Sequence, residues 1–341
     1  MRILVTCDPE IPVPPIKYGG VERLVSGLCI EYSKMGHEVF LVANKQSTEP
    51  SAREIFGWNS SHSRGVKNIL SNAMQLRKIV RSIKPDVIHS FSRLLYLYPL
   101  FLAGNKIPIL QTYGRAISQK STSLAKRLGG KYLHFACCGK HMIKNFKDIS
   151  DWHIVYNFIN TDFFTYNTSI KKEDYLLFLG RICHQKGTRQ AIEAALNANH
   201  DIIIAGLKES PYFEENIEPF LKNPHVKYIG LVDDNQKLPL LQKAKGLLFP
   251  INGPEAFGIV LAESFACGTP VIAFNKYSVP EIVKENVNGY IVNDVSEMSK
   301  RIYDLSSLNP LVIQNDAVEN YSSKIIADNY LFIFDRMKQL V

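Results

Sequence analysis

The feature of this sequence that most constrains its fold is an alternation of short apolar runs with amphipathic helical patterns in both halves of the chain. Strands that alternate with helices are typical of βαβ units and of a parallel sheet. The predicted strands are Arg2–Cys7, Glu38–Ala43, Asp86–Phe91, Pro108–Thr112 and Leu133–Cys138 in the first half, and Tyr175–Leu179, Asp201–Ala205, Val226–Ile229, Gly246–Pro250 and Val271–Phe274 in the second. Each half therefore predicts a Rossmann-like α/β unit of its own.

The length of 341 residues also favours two domains. We expect the first at 1–160 and the second at 171–321, because a polar stretch lies between Asn157 and Asp174. No strand pattern follows the predicted final helix, 322–341. That helix can pack back on either domain, the first included.

Composition and cysteine usage indicate a cytoplasmic protein. No apolar stretch reaches the roughly 20 residues that a membrane-spanning helix requires, and the start of the chain has the pattern of a strand rather than of a signal peptide. The six cysteines form no C-x-x-C pair and no metal-ligand spacing. We therefore expect reduced thiols.

Charge is distributed unevenly along the chain. Residues 1–160 hold 22 lysines and arginines against 10 acidic residues, whereas residues 161–341 hold 18 against 22. A basic first half favours an acidic partner or an anionic membrane surface on that side. A solvated surface without any partner explains the same count, and the sequence leaves both interpretations open.

Two common nucleotide-binding motifs are missing. The chain contains neither a G-x-G-x-x-G fingerprint nor a Walker P-loop. Their absence argues against a dinucleotide-dependent dehydrogenase and against an NTPase.

The most informative segment is GPEAFGIVLAESFACGTPVIAF, residues 253–274, which carries two glutamates eight positions apart. Glu255 lies in a Pro/Gly loop just before a predicted helix, where backbone N–H groups and the helix dipole favour anions and hydroxyls. Glu263 lies roughly 9 Å further along if the helix begins near Phe257. The two carboxylates can address opposite ends of an elongated polar ligand, and a nucleotide-sugar has that shape.

Two loops after predicted strands have the composition of phosphate-binding loops. In LGRICHQKG, residues 179–187, Arg181 and Lys186 flank a strand-to-helix turn and can clamp a diphosphate, although surface cations near a turn give the same pattern. Gly19 and Gly20 follow the first strand and open a helix, and such glycines let a backbone approach a ligand closely. The glycine pair is weak evidence by itself.

Polar residues also end two strands of the first half. His89 ends DVIHSF and Tyr113 ends ILQTY, at the sheet edge where an acceptor can dock. A histidine at a strand end is more often a hydrogen-bonded structural group.

The basic helix predicted over 66–83 has an apolar stripe and a charged outer face, which indicates an ordinary surface helix. The stripe comprises Val66, Ile69, Leu70, Ala73, Leu76, Val80 and Ile83.

Several motifs together resemble family 4 of the retaining glycosyltransferases, which has the GT-B fold. The matching segments are Gly19-Gly20-Val21-Glu22, GHEV (36–39), PDVIH (85–89), LGR and KG within 179–187, PEAFGIVLAE (254–263), GTPVIAF (268–274) and PEIV (280–283). Their order and spacing match over nearly the whole chain. The resemblance implies two Rossmann-like domains that face each other across a cleft, with the donor bound by the second and the acceptor by the first.

The same resemblance implies roles for individual residues. Arg181 and Lys186 would bind the donor diphosphate and stabilise the leaving group, and Glu255 would contact the sugar hydroxyls. Glu263 would hold the ribose. The remaining implied contacts are backbone amides of Phe257, Gly258 and Ile259 at the donor sugar, Gly19 and Gly20 over the phosphates, and His89, Tyr113 and Arg115 on the acceptor side.

By this resemblance the reaction needs no metal and no other cofactor, and the acidic pair Asp233-Asp234 is taken as a turn. The expected function is transfer from a UDP-sugar to a hydroxyl of a glycan or lipid-linked acceptor in envelope polysaccharide or lipopolysaccharide synthesis. Nucleic acid is not an expected partner. The expected location is the cytoplasm, with peripheral contact at the inner face of the membrane.

The sequence departs from the family pattern in three places. Tyr113 and Phe91 stand where the family commonly has histidines, and the loop at 277–279 lacks paired glycines. The replacements at Tyr113 and Phe91 leave open an inactive nucleotide-sugar-binding partner subunit. A nucleotide-sugar epimerase with the same fold is a second alternative.

Overall fold

A computed structural model describes residues 1–16 and 19–340. The chain divides into two compact units. The first comprises Met1–Asn157 together with Ser323–Val341, and the second comprises Phe158–Ser322. Each unit is built around its own parallel sheet.

The first unit contains a seven-stranded sheet within the described residues, in the order β3-β2-β1-β4-β5-β6-β7 with all neighbours parallel. The strands are β1 Arg2–Thr6, β2 Glu38–Ala43, β3 Glu54–Gly57, β4 Val87–Ser90, β5 Ile109–Tyr113, β6 Leu133–Cys137 and β7 Trp152–Ile154. Five of them match the predicted runs. The edge strands β3 and β7 were missed, because three or four half-buried residues give no clear apolar alternation.

Four helices of the described first unit connect these strands. They are α1 Gly20–Lys34, α2 Val66–Ile83, α3 Tyr98–Leu102 and α4 Gln119–Gly129. The chain moves outward from β1 to β3 and then crosses back to β4. Because such crossovers are right-handed, α2, α3 and α4 cover one face of the sheet and α1 covers the other. The apolar inner sides of α2 and α3 and Ala125 of α4 share one core with the sheet.

The predicted stripe of α2 is partly wrong. Ala73, Leu76, Val80 and Ile83 are buried, but Val66 and Leu70 are 72% and 57% exposed. At 100° per residue, Leu70 lies roughly 120° around the helix from the centre of the buried stripe. The i, i+4 spacing of Val66 and Leu70 continues the apolar pattern, but both side chains face solvent.

The second unit contains a six-stranded parallel sheet within the described residues, in the order β10-β9-β8-β11-β12-β13. The strands are β8 Tyr175–Leu179, β9 Asp201–Ala205, β10 Val226–Tyr228, β11 Gly246–Phe249, β12 Val271–Phe274 and β13 Gly289–Val292. The helices are α5 Thr188–Asn197, α6 Tyr212–Asn216, α7 Asp234–Lys243, α8 Ile259–Ala266, α9 Val279–Ile282, α10 Val295–Arg301 and α11 Pro310–Tyr321. Only the edge strand β13 was not predicted.

The final helix, α12 Ser323–Gln339, belongs to the first unit, where it packs on α1. Ser323 Oγ donates a hydrogen bond of 3.2 Å to Glu31. The described helices include none with the length and apolarity needed to cross a bilayer. All six cysteines are buried free thiols.

Candidate active site

The central feature of the second unit is the point where its strand order reverses. Strand β8 lies between β9 and β11, so the loops after β8 and β11 leave the same sheet edge side by side. Ligands of open α/β sheets bind at such switch points, outside the carboxyl ends of the strands. The first loop carries Arg181 and Lys186, and the second carries Glu255.

Backbone contacts join these two loops. The carbonyl of Gln185 accepts hydrogen bonds from the amides of Asn252 at 2.8 Å and Gly253 at 2.9 Å. Gly187 has a φ of 74°, and a Cβ at this position would lie 1.9 Å from the carbonyl oxygen of Pro250. The close approach therefore requires glycine, both for its conformation and for its size.

Lys186 and Glu255 form an ion pair in which the Lys186 ammonium donates to the carboxylate. Their side chains are 23% and 16% exposed, so the pair is accessible from the sheet edge but mostly shielded from water. Charge-assisted hydrogen bonds in such surroundings are stronger than those in bulk solvent. The two predicted residues, 69 positions apart in the chain, together offer a cation and an acceptor for hydroxyls.

Arg181 lies beside a different carboxylate. Its guanidinium pairs with Glu209, in the loop after β9, and both side chains are about half exposed. The described contacts thus join Lys186 to Glu255 and Arg181 to Glu209. Glu209 was not predicted, although its position after a strand of the same sheet edge was readable from the sequence.

Helix α8 begins beside these loops. Its N-cap is Gly258, with a φ of 81°, and none of the described side chains caps the helix. The helix begins at Ile259, two residues later than predicted. Phe257 is buried against Tyr321, so its side chain does not face a ligand and only its backbone can. An anion or a hydroxyl near this turn would meet the positive end of the helix dipole.

Glu263 lies on α8 and pairs with a lysine that the sequence did not reveal. Lys237 Nζ lies 2.6 Å from Glu263 Oε1, 3.1 Å from Asp234 Oδ1 and 4.9 Å from the centre of the Phe164 ring. Lys237 and Glu263 are both largely buried, with side chains 16% and 10% exposed.

The acidic pair Asp233-Asp234 is not a turn but the start of α7. Asp233 caps this helix, since its Oδ1 accepts from the amide of Gln236 at 2.9 Å and the Gln236 side chain bonds back to the Asp233 amide. This capping box fixes where α7 begins and therefore where Lys237 stands. The Asp-x-x-Gln pattern of Asp233 and Gln236 is the sequence signal that predicts such a helix start.

The loop at 277–279, which lacks the paired glycines, lies beside the loop after β11. Lys276 Nζ donates to Asn252 Oδ1 at 3.0 Å, while the buried Asn252 Nδ2 has no hydrogen-bond partner among the described residues. Tyr277 adopts a φ of 51°, a left-handed conformation that glycine favours. The glycine-type backbone is thus present here without glycine.

In the first unit, Gly19 and Gly20 precede and begin α1. Gly19 has a φ of 155°, and a Cβ there would lie 2.7 Å from Pro15 Cβ and 2.8 Å from Glu22 Oε2. Gly20 has open space around its Cα. Only Gly19 is therefore required by the local packing.

A cavity of about 340 Å³ lies at the carboxyl edge of the first sheet, in the loops after β1, β4 and β5. Two of the residues that line it, Tyr113 and Arg115, were predicted on the acceptor side. Its other charged residues, Asp8, Glu22 and Arg93, were not predicted. Asp8 lies two residues after the end of β1, and a carboxylate at this position was a sequence signal for the cavity. Apolar surface comes from Val21, Phe91, Leu94, Leu95 and Tyr98.

The charged groups of this cavity are coupled. Asp8 accepts from Arg115 Nη2 and from the amide of Arg93, each at 2.9 Å. Burial raises the pKa of Asp8, and Arg115 opposes that rise. Burial likewise raises the pKa of Glu22, and Asp8 adds to it. Burial also raises the pKa of the Tyr113 phenol. The cavity combines two carboxyls, two guanidinium groups and an apolar wall.

His89 does not belong to this cavity, and the prediction of an acceptor-side role is corrected. Its ring is fully buried, 4.4 Å from Phe91 and 4.5 Å from Tyr330 between ring centres. It bonds Tyr32 at 3.2 Å and Thr112 at 2.9 Å. Burial lowers its pKa to about 3. Helix α12 covers the strand end, so His89 is a neutral packing residue.

Comparison with known proteins gives matches along nearly the whole chain. Two family models match, "Glycosyltransferase Family 4" at residues 18–163 and "Glycosyl transferases group 1" at 161–322. An uncharacterized glycosyltransferase of Methanocaldococcus jannaschii is 26% identical over 328 residues, 89% of each protein. O-antigen chain mannosyltransferase B of Escherichia coli is 25% identical over 138 residues, 38% of this chain and 36% of that enzyme.

Among solved structures, HepE of Anabaena in complex with UDP and glucose superposes with a TM-score of 0.72 at 16% identity, over 98% of this chain and 99% of that one. At this identity the likeness concerns the fold alone. The fold is GT-B.

Proposed function

The chain belongs to the family 4 glycosyltransferases, and on this basis we propose that it moves a sugar from a nucleotide diphosphate to an acceptor hydroxyl with retention of anomeric configuration and without a metal. The observation that carries the proposal is the contact between Lys186 and Glu255 at the switch point of the second sheet. One edge thereby offers a cation for a diphosphate and a carboxylate for sugar hydroxyls.

The proposed chemistry follows from where charge develops. Cleavage of the bond between the sugar and the phosphate leaves additional negative charge on the diphosphate. Lys186 and Arg181 would stabilise this charge, together with backbone amides at the start of α8. Preorganised donors of this kind are worth several kcal/mol when water is largely excluded.

Retention would result when the acceptor hydroxyl attacks from the side on which the diphosphate departs. The bond from the sugar to the acceptor oxygen forms as the bond to the diphosphate breaks, and a phosphate oxygen takes the acceptor proton. Glu255 would hold and orient the sugar hydroxyls. It need not form a covalent bond with the sugar.

UDP is the proposed carrier. HepE, which has the same fold, is known in complexes with UDP, with UDP-glucose and with UDP and glucose. Glu263 would accept hydrogen bonds from the ribose hydroxyls, with Lys237 fixing the orientation of its carboxylate.

The cavity of the first unit is the proposed acceptor site. Arg93, Arg115 and the carboxyls of Asp8 and Glu22 suit a polar acceptor, and the apolar wall suits a lipid-linked one. The similarity to an O-antigen mannosyltransferase supports a role in envelope polysaccharide synthesis. An acceptor at the inner face of the cytoplasmic membrane agrees with the cations of this unit.

The test uses thermal shift against UDP-, GDP- and ADP-sugars, followed by release of the nucleotide from the sugar that binds. Arg181→Ala, Lys186→Met and Glu255→Gln are each expected to lower nucleotide release about 10²-fold or more while the fold is retained. Lys243→Met removes an exposed ion pair elsewhere in the second unit and serves as the matched control. Wild-type turnover in folded Lys186→Met or Glu255→Gln would refute the proposal.

A further inference from the structure

The outward side of helices α2, α3 and α4 exposes large apolar side chains. Leu70 is 57% exposed and Leu102 is 75% exposed, although leucines are usually sheltered from water. We call the following set the docking face. Its apolar members are Val66, Leu70 and Met74 of α2, Leu102 of α3, and Leu124 and Leu128 of α4.

These residues lie on three neighbouring helices of one layer. Helices α2, α3 and α4 cover the same face of the first sheet, α3 contacts both of its neighbours, and their inner sides share one core. The exposed residues are therefore on the opposite, outer sides of three adjacent helices. Leu95, which lines the cavity of the first unit and is 46% exposed, lies just before α3 in the same layer.

Cations are interleaved with the apolar side chains. Lys67, Lys78 and Arg81 are exposed on the same side of α2 as Leu70 and Met74. Lys106, Lys120 and Arg127 are exposed around Leu102, Leu124 and Leu128. From residue 55 to residue 147 the chain has sixteen lysines and arginines and a single acidic residue, Asp86. The positive charge of the docking face is thus almost unopposed by its own segment.

The combination selects one kind of partner. A nucleic acid would match the cations but leave leucines, valine and methionine at the centre of the contact without an apolar surface. A protein groove would match the apolar side chains but require an unusually acidic rim. An anionic bilayer matches both, since apolar side chains enter the boundary of the headgroups and cations meet the lipid phosphates.

We infer that the docking face binds the surface of an anionic membrane. The inference gives the proposed transferase access to a membrane-borne acceptor and rests on the proposed function for that purpose only. Leu95 lines the acceptor cavity and belongs to the segment 94–97, which contacts α2 and α3. A lipid-linked acceptor would enter the cavity from the bound membrane along this side.

The experiment is co-flotation of the full chain with vesicles of phosphatidylcholine and phosphatidylglycerol, with pure phosphatidylcholine vesicles as the neutral probe. Leu70→Ser with Met74→Ser removes apolar contact, and Lys67→Glu with Lys78→Glu reverses the charge of two cations. The matched controls change residues of similar exposure in the second unit. They are Leu311→Ser with Val312→Ser, and Lys222→Glu with Lys227→Glu.

The wild type is expected to float with the anionic vesicles, much less with the neutral ones, and less as salt is added. Both docking-face variants should lose at least about tenfold in partition, while both controls float like the wild type. Flotation of the Leu70/Met74 variant at the wild-type level would overturn the inference. So would equal flotation on neutral vesicles, or tight binding of a single-stranded RNA oligonucleotide in place of anionic vesicles.

Thermal shift against UDP-, GDP- and ADP-sugars and release of nucleotide from the sugar that binds are measured on the same variants. Loss of flotation with normal nucleotide release is the expected result and separates the docking face from catalysis. If the wild type fails to float but turns over normally, this inference fails and the proposed function stands. If it floats but releases no nucleotide, the proposed function fails instead.

Discussion

Lys237 and Glu263 form a largely buried ion pair of 2.6 Å between helices α7 and α8. The capping box at Asp233 sets the start of α7, and the turn at Gly258 sets the start of α8. The pair therefore depends on two helix boundaries. It holds the carboxylate proposed to bind the ribose in one orientation.

We expect Glu263→Gln to weaken UDP binding about tenfold, because a neutral amide accepts weaker hydrogen bonds from ribose hydroxyls than a carboxylate does. Isothermal titration with UDP measures the change. Unchanged affinity would show that Glu263 does not contact the nucleotide.

Lys237→Met should lower the free energy of unfolding by about 1–3 kcal/mol, because Glu263 would keep a buried charge with less compensation. Lys243→Met on the same helix breaks a pair whose side chains are about half exposed, and it should cost under about 0.5 kcal/mol. Chemical denaturation compares the two variants. Equal losses would contradict the importance of the Lys237–Glu263 pair.

Gly187→Ala should destabilise the second unit by about 2 kcal/mol or more. The new Cβ would lie 1.9 Å from the Pro250 carbonyl oxygen, and the positive φ adds strain. Gly20→Ala is the control for stability, since a Cβ at that position would have nothing within 4 Å and the backbone there is helical. The thermal midpoint of each variant is the measurement, and a neutral Gly187→Ala would show that the two loops are not in tight contact.

Stability should fall in mild acid because of His89. Its pKa is about 3 when folded, below the ordinary value of 6.5, so the unfolded chain binds the extra proton between these values. The contribution of the neutral His89 to the free energy of unfolding is fully present above pH 6.5 and is lost as the pH falls toward 3. By about pH 5 the loss is about 2 kcal/mol.

The comparison is between the wild type, His89→Gln and His62→Gln, whose parent histidine is exposed. Free energies of unfolding are measured at several pH values. His89→Gln should flatten the acid limb of the curve, whereas His62→Gln should keep it. Identical slopes in all three proteins would refute a buried neutral His89.

Metal removal should leave turnover unchanged. The cations proposed to stabilise the departing diphosphate are side chains, Lys186 and Arg181, and they cannot be extracted by a chelator. Nucleotide release in EDTA and in excess Mg²⁺ is the measurement. A loss in EDTA that Mg²⁺ restores would contradict the metal-independent scheme.

Local patterns in the sequence were sufficient for the strands of both sheets except at three edges, because a buried strand imprints a run of apolar residues on the chain. They also marked Arg181, Lys186, Glu255 and Glu263 as chemistry-bearing positions at strand ends or on the following helix. The motifs, taken together, were sufficient to predict the glycosyltransferase family. These features depend on neighbours within a few residues.

Partnerships between distant residues were decided only by the tertiary structure. Reversal of the strand order brings Lys186 to Glu255, two helix caps bring Lys237 to Glu263, and α12 closes over His89. The solvent-facing side of α2 is also decided by the tertiary structure, since an apolar residue looks the same in sequence whether it faces the core or solvent. Which side is buried depends on the elements that pack against it, and those come from elsewhere in the chain.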